Sequence, residues 1–154
     1  MSQTISAQLG PKEILPFASD YLHNGRKLES WQINSIAIED KHLVADVSMT
    51  ATYASTTDAG GFHLTVFSTL EFLSELMIIY AHVWAGLNAK VREGWMVESS
   101  AKLVRSIRDP EHIKVEMQAK SIRKRGDNLI CIADYKVTDQ YGGLFEVSLK
   151  GFLS

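Results

Sequence analysis

Cysteine is nearly absent from this chain. The one cysteine in 154 residues, Cys131, excludes an internal disulfide framework and any cysteine-only metal cage. It lies in the apolar run Leu-Ile-Cys-Ile-Ala and reads as a small buried hydrophobe. Proline is scarce as well: Pro11 and Pro16 stand near the N-terminus and Pro110 at a later break, so none interrupts Gly60 to Leu87. Neither sign of charge dominates, since 16 Lys and Arg against 18 Asp and Glu leave a formal net charge of -2. Nothing global therefore favours nucleic acid or an anionic membrane as a partner. The chain holds no GxxxxGK loop, GxGxxG turn, GxSxG elbow or HExxH pair, which disfavours NTPase, dinucleotide-dependent, serine-hydrolase and histidine-paired metal chemistry. No cofactor and no metal are expected. The opening MSQTISAQLGPKEILPF lacks the basic start and apolar run of a signal peptide, so a cytoplasmic protein is expected.

What is present is a balance of 45% hydrophobic and 22% charged residues, that of a soluble globular domain spanning residues 1–154. Residues 1–28 read as an N-terminal helical segment interrupted at Pro16, then a turn at residues 23–26, a natural cap over a core or wall of a pocket. Alternation from Trp31 to Asp40 and from Leu43 to Met49, around Asp40-Lys41, predicts a β-hairpin. Residues 60–87 form a glycine-led loop and one long helix ending at Gly86. Alternating runs from Trp95, Ile113, Leu129 and Leu144, punctuated at Asp109-Pro110, Arg125–Asn128 and Tyr141–Gly143, predict four further strands. Strands joined by short turns demand an antiparallel sheet, and one apolar helix must cover it, giving an α+β fold. So apolar a helix needs a sheet curled round it or a second protomer.

Ser68, Glu71, Glu75 and His82 interrupt the helix and fall within about 60° of one another at 100° per residue. Carboxylates inside an apolar helix are costly unless paired or used, so Glu71 and Glu75 are candidate bases or nucleophiles with raised pKa values. The alternative is a structural carboxylate bonded to a neighbouring strand. Backbone amides at Gly60, Gly61 and Phe62 would polarise a substrate carbonyl, with Ser68 orienting water and His63 as a further base. The plainer readings are a helix-end hydroxyl for Ser68 and a packed or exposed side chain for His63. His82 reads as a core histidine or dimer contact. Arg123, Lys124 and Arg125 form either a solvated hairpin end or a grip on phosphates or an acidic protein surface, with Lys90 and Arg92 as similar candidates. Glu71 and Glu75 argue against a membrane-spanning role for the stretch.

The loop-helix GGFHLTVFSTLEFLSEL between an N-terminal hairpin and a C-terminal sheet resembles the hotdog fold over the whole chain. That resemblance implies an antiparallel sheet wrapped round one central helix and dimerisation edge to edge, as a homodimer or dimer of dimers. It implies acyl thioesters of coenzyme A or acyl carrier protein as substrates and a place in fatty acid metabolism. Leu70-Glu71, Tyr80-Ala81 and Arg92 to Trp95 are similar to the mycobacterial long-chain fatty acyl-CoA thioesterase family. Ser68, Met77 and Gly60 stand where that family carries two asparagines and a tyrosine. Glu71 also sits like the helix carboxylate of the beta-hydroxyacyl-carrier-protein dehydratases, whose histidine loop HFPxxPxxPG is missing. Thioester hydrolysis is the leading expectation. A 3-hydroxyacyl-thioester dehydratase or hydratase, or a non-catalytic acyl-binding protein, is the alternative.

Overall fold

The computed structural model describes residues 3–154; the first two residues of the expected 1–28 segment lie outside them. Six strands build one antiparallel sheet: β1 (Ser30–Glu39), β2 (His42–Ala51), β3 (Gly94–Arg105), β4 (Ile113–Arg125), β5 (Asn128–Thr138) and β6 (Leu144–Leu153). Their spatial order is β1-β2-β4-β5-β6-β3. The expected hairpins are present. Asp40 takes φ 53° between β1 and β2, a left-handed angle that Asp tolerates. Gly126, at φ 62°, turns β4 into β5 beside the closing pair Arg125 and Asn128.

The long helix α3 runs Val66–Trp84, inside the loop-and-helix stretch expected over residues 60–87. Thr65 is extended and its side chain accepts the Ser68 amide at 3.3 Å, so the first turn is capped there. Just before it, Leu64 N–H donates to Ile107 O at 2.8 Å, fixing the helix start to the β3–β4 connection. Gly86, at φ 76°, ends the helix as its position predicts, and Leu87 N–H returns to His82 O at 2.9 Å. Phe72, Leu73, Leu76 and Tyr80 form the buried face against the sheet. Each contributes about 1.5–3 kcal/mol of apolar burial. Tyr135 Oη donates to Leu73 O at 3.2 Å and Tyr80 Oη to Asp40 O at 2.9 Å, so two phenols tie the helix to β5 and the first hairpin. By length and hydropathy α3 would pass as a membrane span, yet it is laid against the sheet as a core helix.

Two expectations need correction. The short helices α1 (Pro11–Ile14) and α2 (Arg26–Leu28), joined by a 3-10 turn (Leu15–Phe17) and a π turn (Tyr21–Gly25), do not cap the core. Only Gly25 is buried there, under the Tyr53 ring, while Ile14, Leu15, Phe17, Leu22 and Leu28 stay exposed. The alternation from Trp95 to Leu103 does not mark a half-buried strand either. β3 is the last strand of the sheet and bonds only to β6, so both faces are open along most of its length.

Asp139, in the β5–β6 turn, links the sheet to the loop that holds the helix start. Its carboxylate accepts the amides of Arg108 (2.8 Å), Asp109 (3.1 Å), Tyr141 (3.0 Å) and Gly143 (2.7 Å). Burial alone would raise its pKa, but these four bonds favour the anion and hold it below the ordinary value. The stabilisation is therefore complete above the unfolded-state value near ~4 and is lost as pH falls through the lower folded value. Asp139→Ala should cost about 2–3 kcal/mol in urea unfolding at pH 7, as buried amides lose their acceptor. The gap from wild type should shrink on acidification below about pH 4; an unchanged gap would show that the carboxylate charge is not what matters.

Candidate functional site at the start of the central helix

The first turn of α3 has two amides, Val66 and Phe67, with no intrahelical acceptor by position, since Thr65 serves only Ser68 and Thr69. Glu71 stands one turn beyond Phe67 on the same outer face. It and Glu75 are both solvent-exposed, so the expectation of carboxylates inside an apolar environment is corrected. The four polar positions do share one helix side, but that side is turned away from the sheet and is covered only near Ser68 and His82. Glu71 is oriented: Trp31 Nε1, from β1, donates to its Oε1 at 3.2 Å. Trp31 is itself fixed edge-on against Phe72, with ring centroids 6.1 Å apart. Glu75 has no such partner among the described residues.

Ser68 is buried, and its hydroxyl donates to Glu29 Oε2 at 2.9 Å. It is thus committed to a side chain 39 residues upstream and is not free to orient water. Glu29 and Tyr21 are the site residues that sequence reasoning missed. Glu29 joins α2 to β1, and its Oε1 is enclosed without a hydrogen-bond partner. Tyr21 Oη donates to Thr65 Oγ1 at 3.1 Å, and burial first, with the Glu29 charge adding to it, raises its pKa. No motif marks either residue, because only the folded-back N-terminal segment brings them to α3.

The glycine loop is arranged differently from the expected carbonyl hole. Gly60 N–H donates to Asp58 Oδ1 at 3.0 Å and Gly61 N–H to Asp58 O at 3.3 Å, so both amides are occupied. Phe62 O accepts from Arg108 at 3.5 Å. Gly60 lets the Arg108 guanidinium lie close, since a Cβ there would come within 2.2 Å of it and displace the arginine side chain. His63 Nδ1 meets Asp58 Oδ2 at 2.5 Å, and Arg108 Nη1 reaches Asp58 Oδ1 at 3.5 Å. The His63 bond leads, with the Gly60 amide behind it, in holding the Asp58 carboxyl below its ordinary pKa. With Nδ1 as donor, Nε2 of His63 is left with a free lone pair.

His82 is structural, as a core histidine should be. Nδ1 donates to Ile78 O at 2.8 Å, and Nε2 accepts from Val91 N at 3.3 Å and Arg92 N at 3.4 Å, a pattern that needs the neutral ring. Cys131 is buried as expected, and burial pushes its thiol up to about 11. It lines a small apolar cleft of about 60 Å³, open to solvent between α3 (Met77, Ile78, Ala81) and Trp95, Met96 and Phe152. Arg123, Lys124 and Arg125 are exposed at the β4–β5 hairpin, by the C-terminal end of α3, and are not brought to the helix start.

No protein-family model matches the chain, and no curated protein does. Solved structures do. A putative thioesterase from Lactococcus lactis superposes with a TM-score of 0.56 at 13% identity, covering 83% of this chain and 94% of that one. A hypothetical thioesterase from Streptococcus pneumoniae TIGR4, solved with coenzyme A, gives 0.53 at 15% identity over 81% and 89%. A Streptococcus mutans protein bound to acetyl-CoA gives 0.51 at 12% identity over 88% and 97%. Together with the six-stranded antiparallel sheet and its single long helix, these likenesses show the hotdog fold.

Replacing Trp31 by Phe should leave the core packing on Phe72 largely intact while freeing Glu71, with a loss of about 1 kcal/mol or less in stability. A loss near that of a buried aromatic truncation, about 3–5 kcal/mol, would show instead that Trp31 is chiefly a core residue.

Proposed function

We propose that the protein hydrolyses acyl thioesters at the start of α3. The thioester carbonyl lies against the unpartnered amides of Val66 and Phe67, where the positive end of the helix favours a developing oxyanion. Glu71 takes a proton from water as the water oxygen bonds to the carbonyl carbon. The tetrahedral intermediate then expels the thiolate, which takes the proton back from Glu71. The observation that carries this reading is an accessible carboxylate, one turn from free helix amides, aimed by Trp31. The small apolar cleft beside the second half of α3 is where an acyl chain would begin to be held, and it would have to widen to take a long one. The coenzyme A and acetyl-CoA bound to two proteins of the same fold support coenzyme A as carrier, with acyl carrier protein as the alternative.

The functional unit is a homodimer paired through β3. Its edge is unpaired, and Trp95, Met96, Val97, Leu103 and Val104 stay 41–54% exposed on a single protomer, an apolar strip that a second copy would cover. The Asp58–His63 pair favours one second reading, a 3-hydroxyacyl-thioester dehydratase or hydratase, because such chemistry needs two acid–base groups and His63 is presented as one.

A panel of acyl-CoAs assayed for free thiol should reveal turnover, and Glu71→Gln should lower kcat about 100-fold or more with Glu75→Gln near wild type. The reading fails if no chain length is hydrolysed, or if the Glu71 variant keeps full activity. Loss of water from 3-hydroxyacyl-CoA, abolished by His63→Ala, would move the assignment to the second reading. Sedimentation of the wild type should give twice the protomer mass, and Val97→Glu should return it to the protomer mass.

A further inference from the structure

Beyond Ala81 the central helix runs past the end of its sheet. Ala81 packs on Leu129, the second residue of β5, and on Leu153, the last of β6, so no inward row follows them. Val83 comes seven residues after Leu76, and Trp84 four after Tyr80. Both therefore continue the apolar face on which Leu76 and Tyr80 are almost wholly buried. They stay 50% and 45% exposed all the same, and Val91, in the segment after the helix, is 68% exposed. The protomer covers the middle of this apolar face and leaves its end bare.

The same pole carries the cations that the candidate reaction centre does not use. Arg123, Lys124 and Arg125 pair in register with Ile130, Leu129 and Asn128, so the run stands beside the sheet end on which Ala81 rests. The Arg92 guanidinium donates to Asp127 O, which ties the segment after the helix to this hairpin. Lys90, Arg92 and the hairpin run thus meet two acidic side chains, Glu93 and Asp127, and Glu93 is engaged by Lys90 at 3.2 Å. Among the described residues Arg123, Lys124 and Arg125 have no acidic partner. Pairing through the β3 edge would leave the hairpin free, because β6 stands between β5 and β3.

We propose that this pole docks on the surface of an anionic phospholipid bilayer. Val83, Trp84 and Val91 enter the headgroup region, while Lys90, Arg123, Lys124 and Arg125 lie against lipid phosphates. The charge complementarity is direct, since unpaired guanidinium and ammonium groups meet a surface dense in phosphate. The apolar part says what kind of anionic surface it is. A bilayer offers negative charge and an apolar layer within a few ångströms of each other, as this pole offers cations and bare apolar side chains. A half-exposed tryptophan beside them suits the boundary between headgroups and acyl chains. The docking is peripheral, because α3 stays on its sheet and carries Glu71 and Glu75 further back. It uses the end of α3 opposite the candidate reaction centre and does not rest on the hydrolase reading.

Co-sedimentation of the full chain with two kinds of vesicle tests this: phosphatidylcholine alone, and phosphatidylcholine with about one third phosphatidylglycerol. The chain should bind the anionic vesicles and not the neutral ones, and raising NaCl from about 0.1 to about 0.5 M should release it. Lys124→Glu with Arg125→Glu, both on exposed positions, should weaken binding about 30-fold or more, roughly fivefold for each cation lost. Lys12→Glu with Lys27→Glu makes the same change in net charge on exposed positions of the N-terminal segment, which is tied to the other end of α3 through Tyr21 and Thr65. That variant should bind within about threefold of wild type. Lipids brominated on their acyl chains should quench tryptophan fluorescence, and Trp84→Phe should lose most of the quenching. No binding to anionic vesicles, equal binding to neutral ones, equal losses in the two double variants, or quenching unchanged in Trp84→Phe would each overturn the proposal. So would an acidic carrier protein bound through Lys124 and Arg125 by a chain that ignores both vesicles, which would give the pole to a protein partner.

Discussion

A helix with one apolar face laid against a single antiparallel sheet is the constraint from which the rest of this molecule follows. Phe72, Leu73, Leu76 and Tyr80 demand one covered face, and the inward rows of β2, β4, β5 and β6 supply it. Short turns join β1 to β2, β4 to β5 and β5 to β6. The helix carries the chain from β2 to the far edge at β3, and residues 106–112 bring it back past β6 and β5 to β4. The helix then points its first turn at the loops of one sheet end, where Ile107 and Asp139 fix its origin. Chemistry becomes feasible there because that end carries free amides, and the far end does not.

The same constraint separates positioning from accessibility. Side chains that another element covers are locked but unreachable, as Ser68 shows on the outer side by bonding to Glu29. Side chains on the outer side are reachable but free to wander unless another element holds them. Glu71 escapes this choice because β1 passes close enough for Trp31 to grip it. A carboxylate that is reachable and still oriented is what a water-activating group requires.

Much of the scaffold was legible from residue order. The alternation in β2, β4, β5 and β6 reports real burial, and Asp40, Gly126 and Gly86 mark real turns and a real helix end. The site was legible only in part. Periodicity put Glu71 and Glu75 on one side of the helix but could not say which side the sheet would cover. The helix start depends on Thr65, whose side chain caps the first turn, while the glycine pair upstream stays in the loop. Glu29, Tyr21, Asp58 and Arg108 act through contacts over long sequence separations or through loop geometry, and no local pattern encodes those.

The bare edge of β3 has a consequence of a different kind. Natural sheets blunt such edges with lysines, prolines or bulges; β3 has Lys102 and two register shifts, near Glu98 and Arg105, yet Trp95, Met96, Val97, Leu103 and Val104 remain exposed along it. If a second copy is what covers that strip, the stability of the fold is tied to its own abundance by mass action. A newly made chain would then spend its first moments with an aggregation-prone ribbon exposed, and its yield would depend on how quickly it meets another like itself.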